Sequence, residues 1–244
     1  MASRRTIGER FPGQTSAERE AASGFALHGN TVVWRLRHAG LEPRPYYEFF
    51  KRLFDIFIAS LAILATLPLM LAIALAIKLD SRGPVLYSHQ RLGKGTRRFI
   101  MLKFRTMRVS ASAIPPELLM LNESTGPLFK MRGDPRITRV GRLLRRTSLD
   151  ELPQLFNVLL GQMSIVGPRP PLPRELAGFE TVQRQRLRVV PGLAGLWQVK
   201  GRSNLAFEEM VKLDLEYIER RSFLFDLELI LQTIPCVITG RGAW

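Results

Sequence analysis

Two adjacent carboxylates, Asp150 and Glu151, stand in the run Thr147-Ser148-Leu149-Asp150-Glu151-Leu152-Pro153, directly after an arginine-rich stretch. Pro153 limits where the next helix begins, because a proline fits only in the first turn, where its missing N–H has no intrahelical partner. Asp150 as N-cap puts Pro153 at the third helical position. Ser148 as the N-cap of a capping box closed by Glu151 ranks second, because it drives the proline deeper. Either arrangement sets both acids at the positive end of a helix dipole, which keeps them ionised and attracts phosphate. The chemistry open to such a pair is phosphoryl transfer: one carboxylate attacks phosphorus while the other holds a divalent cation that neutralises a diphosphate. The competing reading is a plain helix cap, the common use of an acidic pair at a helix start.

Cations surround this pair in the sequence. The runs Pro84 to Gln90 and Phe99 to Met107, separated by Gly93, Gly95 and Arg97-Arg98, predict two strands and a polar turn, and strand alternation sets Lys103 and Arg105 on one face. A bound phosphate and a solvated basic face are both consistent with that pair. Asp134-Pro135 predicts a helix start, followed by an amphipathic helix to Thr147 with Ile137, Val140 and Leu144 on one side. Arg136, Arg139, Arg142, Arg145 and Arg146 cover the rest of it. Gly167-Pro168-Arg169-Pro170 predicts a rigid loop that presents Arg169 to a phosphate or to solvent. Gly192 and Gly195 read as turn residues, and Trp197 as core or sugar platform. Asp214 falls in a helical stretch from Leu205 to Arg221, where an ordinary salt bridge to Lys212 or Arg220 is the plain reading.

The elements that must position these groups include a membrane segment. From Ile56 to Ile77 there are 22 consecutive residues without a charge, enough to cross a bilayer core of roughly 30 Å. Pro68 interrupts its centre, with Thr66 a candidate partner for the freed carbonyl. Lys51 and Arg52 precede it and Lys78 and Arg82 follow, so the positive-inside rule holds both ends at one face. A helix broken at Pro68 that dips into one leaflet and returns satisfies both features; an ordinary kinked span is the alternative. Asp55, at its mouth, is expected to pair with a neighbouring base. Ser222 to Thr239 is apolar but carries Asp226 and Glu228, which fits an interfacial helix.

Thirty-six Lys and Arg against twenty-one Asp and Glu leave a net charge of +15, which favours polyanionic partners. The single Cys236 excludes an internal disulfide framework and any multi-cysteine metal site. Met1 to Pro45 lacks the apolar material for a core and carries no secretory signal pattern.

Several blocks together carry a resemblance: Lys103-Phe104-Arg105-Thr106-Met107, Arg145-Arg146-Thr147-Ser148-Leu149-Asp150-Glu151-Leu152-Pro153-Gln154, and Met163-Ser164-Ile165-Val166-Gly167-Pro168-Arg169-Pro170. Pro191-Gly192-Leu193-Ala194-Gly195-Leu196-Trp197, Gly201-Arg202 and Leu213-Asp214-Leu215-Glu216-Tyr217 extend it. Over roughly residues 48 to 240 the chain resembles the bacterial sugar transferases, the monotopic phosphoglycosyl transferases. The resemblance implies that Asp150 is the nucleophile and Glu151, with Asp150 beside it, the partner of Mg²⁺ (or Mn²⁺). It also implies that Lys103, Arg145, Arg169 and Asp214 surround the active site and that the Pro68 segment is a re-entrant helix. Members commonly have Ser before that proline, where this chain has Leu67.

The resulting expectation is an α+β, mostly helical, monotopic membrane protein. It comprises a flexible extension (1–45), a re-entrant membrane helix broken at Pro68 (46–80) and a cytosolic transferase domain with short strands and interfacial amphipathic helices (81–244). Its expected reaction moves a hexose-1-phosphate, glucose or galactose, from a UDP-sugar to polyprenyl (undecaprenyl) phosphate by a ping-pong route, at the cytoplasmic face of the bacterial inner membrane, to start exopolysaccharide, capsule or O-antigen assembly. The expected partners are those substrates, membrane lipid, and a second copy or other glycan-assembly enzymes. Without a long amino-terminal multi-helix region, the chain reads as a minimal catalytic form. A membrane-tethered nucleic-acid binder accounts for the charge, but not for acids at a helix start, and it would need base-stacking aromatics. A non-catalytic scaffold of a polysaccharide complex has no use for Asp150 and Glu151 together.

Overall fold

A computed structural model of the chain describes residues 25–28, 31–34, 44–109, 116–123, 131, 133–179 and 181–239. Within them the fold is mostly helical α+β, with three small two-stranded sheets. Two short strands, β1 (Phe25–His28) and β2 (Thr31–Trp34), pair antiparallel. Of the rest of the expected flexible extension, Arg44 and Pro45 begin the next helix and the other residues lie outside the described ones.

The dominant element is α1 (Pro45–Asp80), 36 residues with mean hydropathy 2.5 over its most apolar window. Its apolar face is largely uncovered: Phe57 is 64% and Leu64 72% exposed. A core helix would hide such residues; α1 is long and apolar enough to cross a membrane and leaves that surface exposed. The helix continues through Pro68, so the break expected there is not a gap between two helices. Thr66 does not serve the carbonyl that Pro68 leaves open, that of Leu64; its Oγ1 donates to Ala62 O at 2.7 Å, a back-bond of the kind that bends helices. Asp55 also departs from expectation. Lys51 pairs with Asp226 at 2.8 Å, and Asp55, buried, accepts from Ile165 N at 3.0 Å.

After α1 the chain forms the hairpin of β3 (Leu86–Leu92) and β4 (Arg98–Phe104), in which Tyr87 faces Lys103 and His89 faces Met101. Short α2 (Pro116–Leu119) precedes α3 (Arg139–Thr147) and α4 (Gln154–Leu159). The helix expected with Asp134 as its N-cap starts four residues later. Asp134 instead accepts from Arg136 N at 2.9 Å and pairs with its guanidinium, closing a turn, while Thr138 caps α3 by accepting from Gly141 N.

Next, β5 (Ser164–Val166) pairs in parallel with β6 (Gly192–Ala194), with α5 (Thr181–Arg184) between them. Gly192 is a strand residue and not the turn residue expected: a Cβ there would lie 1.9 Å from Gly167 N. The two backbones touch, and only glycine permits that. Three helices complete the fold, α6 (Leu196–Lys200), α7 (Phe207–Arg220) and α8 (Phe223–Thr239).

Both halves of α1 rest on this one body. Ala59, with Ile58, Ala62 and Ile63, joins the main core of Val158, Met163, Leu215, Ile218 and Leu229. Met70, Ile73 and Ile77 pack with Phe104 and Leu144 in a second cluster, and Leu152 touches both. Between them, from Leu64 to Leu69, only Thr66 is partly covered.

Replacing Gly192 by alanine is expected to cost about 3 kcal/mol or more, because the new carbon must push two backbones apart. Gly178→Ala, where a Cβ would meet nothing within 4 Å, is the matched control. Thermal unfolding of both variants in the same detergent should show a lowered Tm for Gly192→Ala alone.

Candidate functional site

A cleft of about 510 Å³ opens beside the β3–β4 hairpin, lined by Tyr87, Lys103, Arg145, Asp150, Glu151 and Trp197 among others. That volume suits a nucleotide-sized ligand. The two carboxylates reach it through an unusual turn. α3 ends at Thr147, and Ser148 turns the chain with φ 57°, ψ 14°, a left-handed conformation usually left to glycine. A 3₁₀ turn, Leu149–Glu151, follows and sends Asp150 inward. Arg202 Nη2 donates to Ser148 Oγ at 2.7 Å, and Arg202 itself sits at φ 53°. Two non-glycine residues in this region beside the carboxylates mark local strain that the surrounding structure must hold in place.

Neither proposed cap is formed. α4 begins at Gln154, after Pro153, and no side chain caps it. The carboxylates therefore occupy the connection between two helices, and their fixed environment comes from the hairpin. Asn157, 1% exposed, bonds β4 as a neighbouring strand would: its Oδ1 accepts from Leu102 N at 3.0 Å and its Nδ2 donates to Ile100 O at 2.7 Å. This bridge sets the height of Lys103 against the turn that carries Asp150 and Glu151.

Lys103 Nζ lies 2.5 Å from Glu151 Oε1 and 3.7 Å from Asp150 Oδ2. Burial pushes the Asp150 carboxyl above the usual carboxylate range; Lys103 and Arg145 oppose that push and Glu151 adds to it. Burial pulls the Lys103 ammonium down, but Glu151 and Asp150 outweigh it, and the net displacement is upward. Arg145 Nε donates to Thr106 Oγ1 at 3.0 Å; burial lowers the guanidinium, with Asp150 opposing. The site is a half-sealed ion cluster in which Lys103 and Arg145 offset part of the effect of burial on Asp150.

The other expected site residues divide. Arg105 lines the cleft, but its guanidinium donates to the carbonyls of Pro84, Arg82 and Ser81 at 2.6, 2.8 and 2.9 Å, which ties the end of α1 to β4. Arg169 stands outside the cleft lining, with Nη1 3.3 Å from Glu175 Oε2. Asp214, 0% exposed, pairs with Arg186 at 2.6 Å, and Arg220 pairs with Glu216, so its expected partnership with Arg220 does not form. Burial raises the Asp214 carboxyl and Arg186 opposes it. Asp214 also accepts from Arg169 N at 3.4 Å, bracing the loop from behind. Pro68 lies in α1, away from the cleft.

Sequence reasoning passed over Tyr87, His89, Arg91 and Ser148, all of which line the cleft. Tyr87 and His89 were visible as alternate residues of the predicted strand, one shared face, and Arg91 continues that face one residue beyond its predicted end. The left-handed turn at Ser148 has no such signature.

Among the described residues no group of three or more His, Cys, Asp or Glu side chains comes together. Mg²⁺ commonly binds through one or two carboxylates completed by substrate phosphate oxygens, and Asp150 with Glu151 fits that donor set once a diphosphate is present.

Comparison with known proteins places the chain in a family. The family described as Bacterial sugar transferase matches residues 46–240. The chain is 40% identical over 233 residues to the Exopolysaccharide production protein ExoY of Sinorhizobium fredii, which covers 94% of this chain and 99% of that protein. It is 48% identical over 162 residues to the Galactosyl transferase CpsE of Streptococcus agalactiae, covering 66% of this chain and 36% of that protein. It is 43% identical over 218 residues to the Undecaprenyl-phosphate glucose phosphotransferase of Komagataeibacter xylinus, covering 84% of this chain and 39% of that protein. The chain thus spans nearly all of the first relative and well under half of the other two. With the match running from the membrane helix through the ion cluster to α8, the chain belongs to the bacterial sugar transferase family.

Proposed function

We propose that this protein transfers a hexose-1-phosphate from a UDP-sugar to polyprenyl phosphate at the cytoplasmic face of the inner membrane, the first step in building an exopolysaccharide. The observation that carries this reading is the Lys103–Asp150–Glu151 cluster in a nucleotide-sized cleft on a body that also holds a membrane helix. The relatives Undecaprenyl-phosphate galactose phosphotransferase of Salmonella typhimurium and UDP-glucose:undecaprenyl-phosphate glucose-1-phosphate transferase of Xanthomonas campestris support the substrate classes. Glucose or galactose is the hexose we favour.

Asp150 is the better nucleophile of the two acids, because Glu151 Oε1 is held at 2.5 Å by Lys103 while Asp150 stands at 3.7 Å. A carboxylate oxygen of Asp150 forms a bond to the sugar-side phosphorus, and the bond from that phosphorus to the bridging oxygen breaks. UMP leaves with the electron pair. An oxygen of polyprenyl phosphate then attacks the aspartyl phosphate, and Asp150 is released as carboxylate. Lys103 and Arg145 offset the charge gathered around phosphorus. Glu151 and Asp150 would hold Mg²⁺ against the diphosphate, where it supplies Lewis-acid neutralisation of the phosphate oxygens.

A monotopic, re-entrant placement of α1 fits the packing. Arg52 donates to the carbonyls of Val158 and Leu159, and Asp80 accepts from Val140 N at 3.2 Å, so both ends of the helix are tied to the same catalytic body. A perpendicular crossing would place those ends about 30 Å apart on opposite sides of the bilayer. A non-catalytic scaffold would have no need of the ion cluster.

Purified protein given UDP-hexose, polyprenyl phosphate and Mg²⁺ should release UMP, and Asp150→Asn should lower that rate by about 10³-fold or more. Full activity in Asp150→Asn would sink the assigned nucleophile. Because Asp150 must be ionised to attack, activity should fall as pH drops through its raised pKa, above the ordinary carboxylate value of about 4. Lys103→Met removes a cation that opposes the effect of burial, so the acid limb of its pH–rate profile should move to still higher pH. For topology, single cysteines at positions 46 and 82 in a Cys236→Ser background should both react with an impermeant thiol reagent from the cytoplasmic side. Reaction from opposite sides would refute the re-entrant placement.

A further inference from the structure

One face of β3 has no role in the mechanism above, yet it lines the same cleft. Tyr87, His89 and Arg91 alternate along the strand, so their side chains project in one direction at intervals of about 7 Å. Tyr87 faces Lys103 across the hairpin, which sets the row beside the reacting carboxylates. Tyr87 is 50% exposed, and its ring meets that of His89 edge-on at 5.7 Å between centroids.

Arg91 is the anomaly. Its Nη1 donates to Pro170 O at 3.2 Å, but its Nε is sealed from solvent and has no hydrogen-bond partner among the described residues. Burial lowers its guanidinium to about 9, with Arg169 adding to the effect and Glu175, Tyr87 and Glu151 opposing it. A half-buried arginine with an unused donor, crowded by a second arginine, is short of one anion.

We propose that Tyr87, His89 and Arg91 form the subsite for the nucleotide half of the UDP-sugar, with Arg91 holding the phosphate that departs with UMP. This inference rests on the transferase reading. Tyr87 and His89 offer the uracil ring an aromatic edge and face, a contact with no use to an isoprenoid phosphate. When the bond to the bridging oxygen breaks, the new charge appears on the UMP phosphate, and Arg91, which lines the same cleft as Glu151 and is influenced by its charge, is the cation of this row that can meet it. Lys103 and Arg145 remain with the transferred phosphoryl group.

The test measures UMP and inorganic pyrophosphate as inhibitors, with KM values for UDP-sugar and polyprenyl phosphate. Arg91→Met should raise the inhibition constants of both UMP and pyrophosphate, and the UDP-sugar KM, by about tenfold, and leave the polyprenyl phosphate KM unchanged. Arg91→Lys should recover part of the loss. Tyr87→Ala, at a half-exposed position that should not impair folding, should raise the UMP constant about fivefold or more and leave pyrophosphate unchanged. An unaltered UMP constant in both Arg91→Met and Tyr87→Ala would overturn the subsite. A polyprenyl phosphate KM raised by Arg91→Met with UMP inhibition intact would also overturn it, reassigning Arg91 to the acceptor. Failure of the wild-type protein to release UMP at all would overturn the transferase reading, and this subsite with it.

Discussion

A lysine ammonium placed between two neighbouring carboxylates, partly shielded from bulk water, governs this structure. Adjacent acids in a region of low dielectric repel strongly, and burial alone would protonate one of them. Lys103, at 2.5 Å from Glu151 and 3.7 Å from Asp150, is the charge that pairs with the first and opposes the effect of burial on the second. The cluster demands that three elements meet at fixed heights: the end of β4, the left-handed turn at Ser148 and the start of α4. Asn157 sets the first against the third by bonding β4 from the side, and Arg202 holds the second through Ser148 Oγ. Phosphoryl transfer needs little from the protein beyond such positioned charge, so the rigidity of these supports is part of the chemistry.

The same supports reach the membrane helix. Arg105 leaves the strand one residue after Phe104 and clamps three carbonyls between Ser81 and Pro84, immediately beyond α1. At the other end, Asp226 of α8 accepts from Tyr47, Lys51 and Tyr217, a buried node joining α1, α7 and α8. A charge buried with three donors is costly to break and hard to shift, which makes it a register pin for the helix packing. Between the two ties, α1 shows solvent or lipid an uninterrupted apolar face, and α8 adds Phe223, Leu224, Leu227 and Leu231. The height of the ion cluster relative to the bilayer is thus coupled to the two ends of one helix.

Much of this was legible in the amino-acid sequence. The charge-free run from Ile56 to Ile77, the alternation of the hairpin strands and the arginine-studded helix before Asp150 are local patterns, written by periodicity and composition. The blocks around Lys103 and Asp150 also identified the family, because several short motifs in order are far more specific than any one of them. Local patterns misplaced boundaries where two local solutions competed. At Asp134 a turn closed by Arg136 displaced the helix start to Thr138, and at Asp150 a left-handed serine displaced the expected cap.

The sequence by itself determined which residues could carry charge into a phosphate site and that a long apolar helix would accompany them. Only the tertiary structure decided which charges meet. It kept Lys103 and Arg145 at the carboxylates, turned Arg105 to the backbone of the α1 terminus, and set Asp214 behind the Arg169 loop against Arg186. It also revealed that Gly192 serves a backbone contact and that Arg91 is left with an unused donor in the cleft. The physical reason is range: periodicity, caps and turns act within a few residues. Ion pairing and desolvation, in contrast, depend on groups such as Lys103 and Glu151 that are distant in the chain and acquire their energies only once brought together.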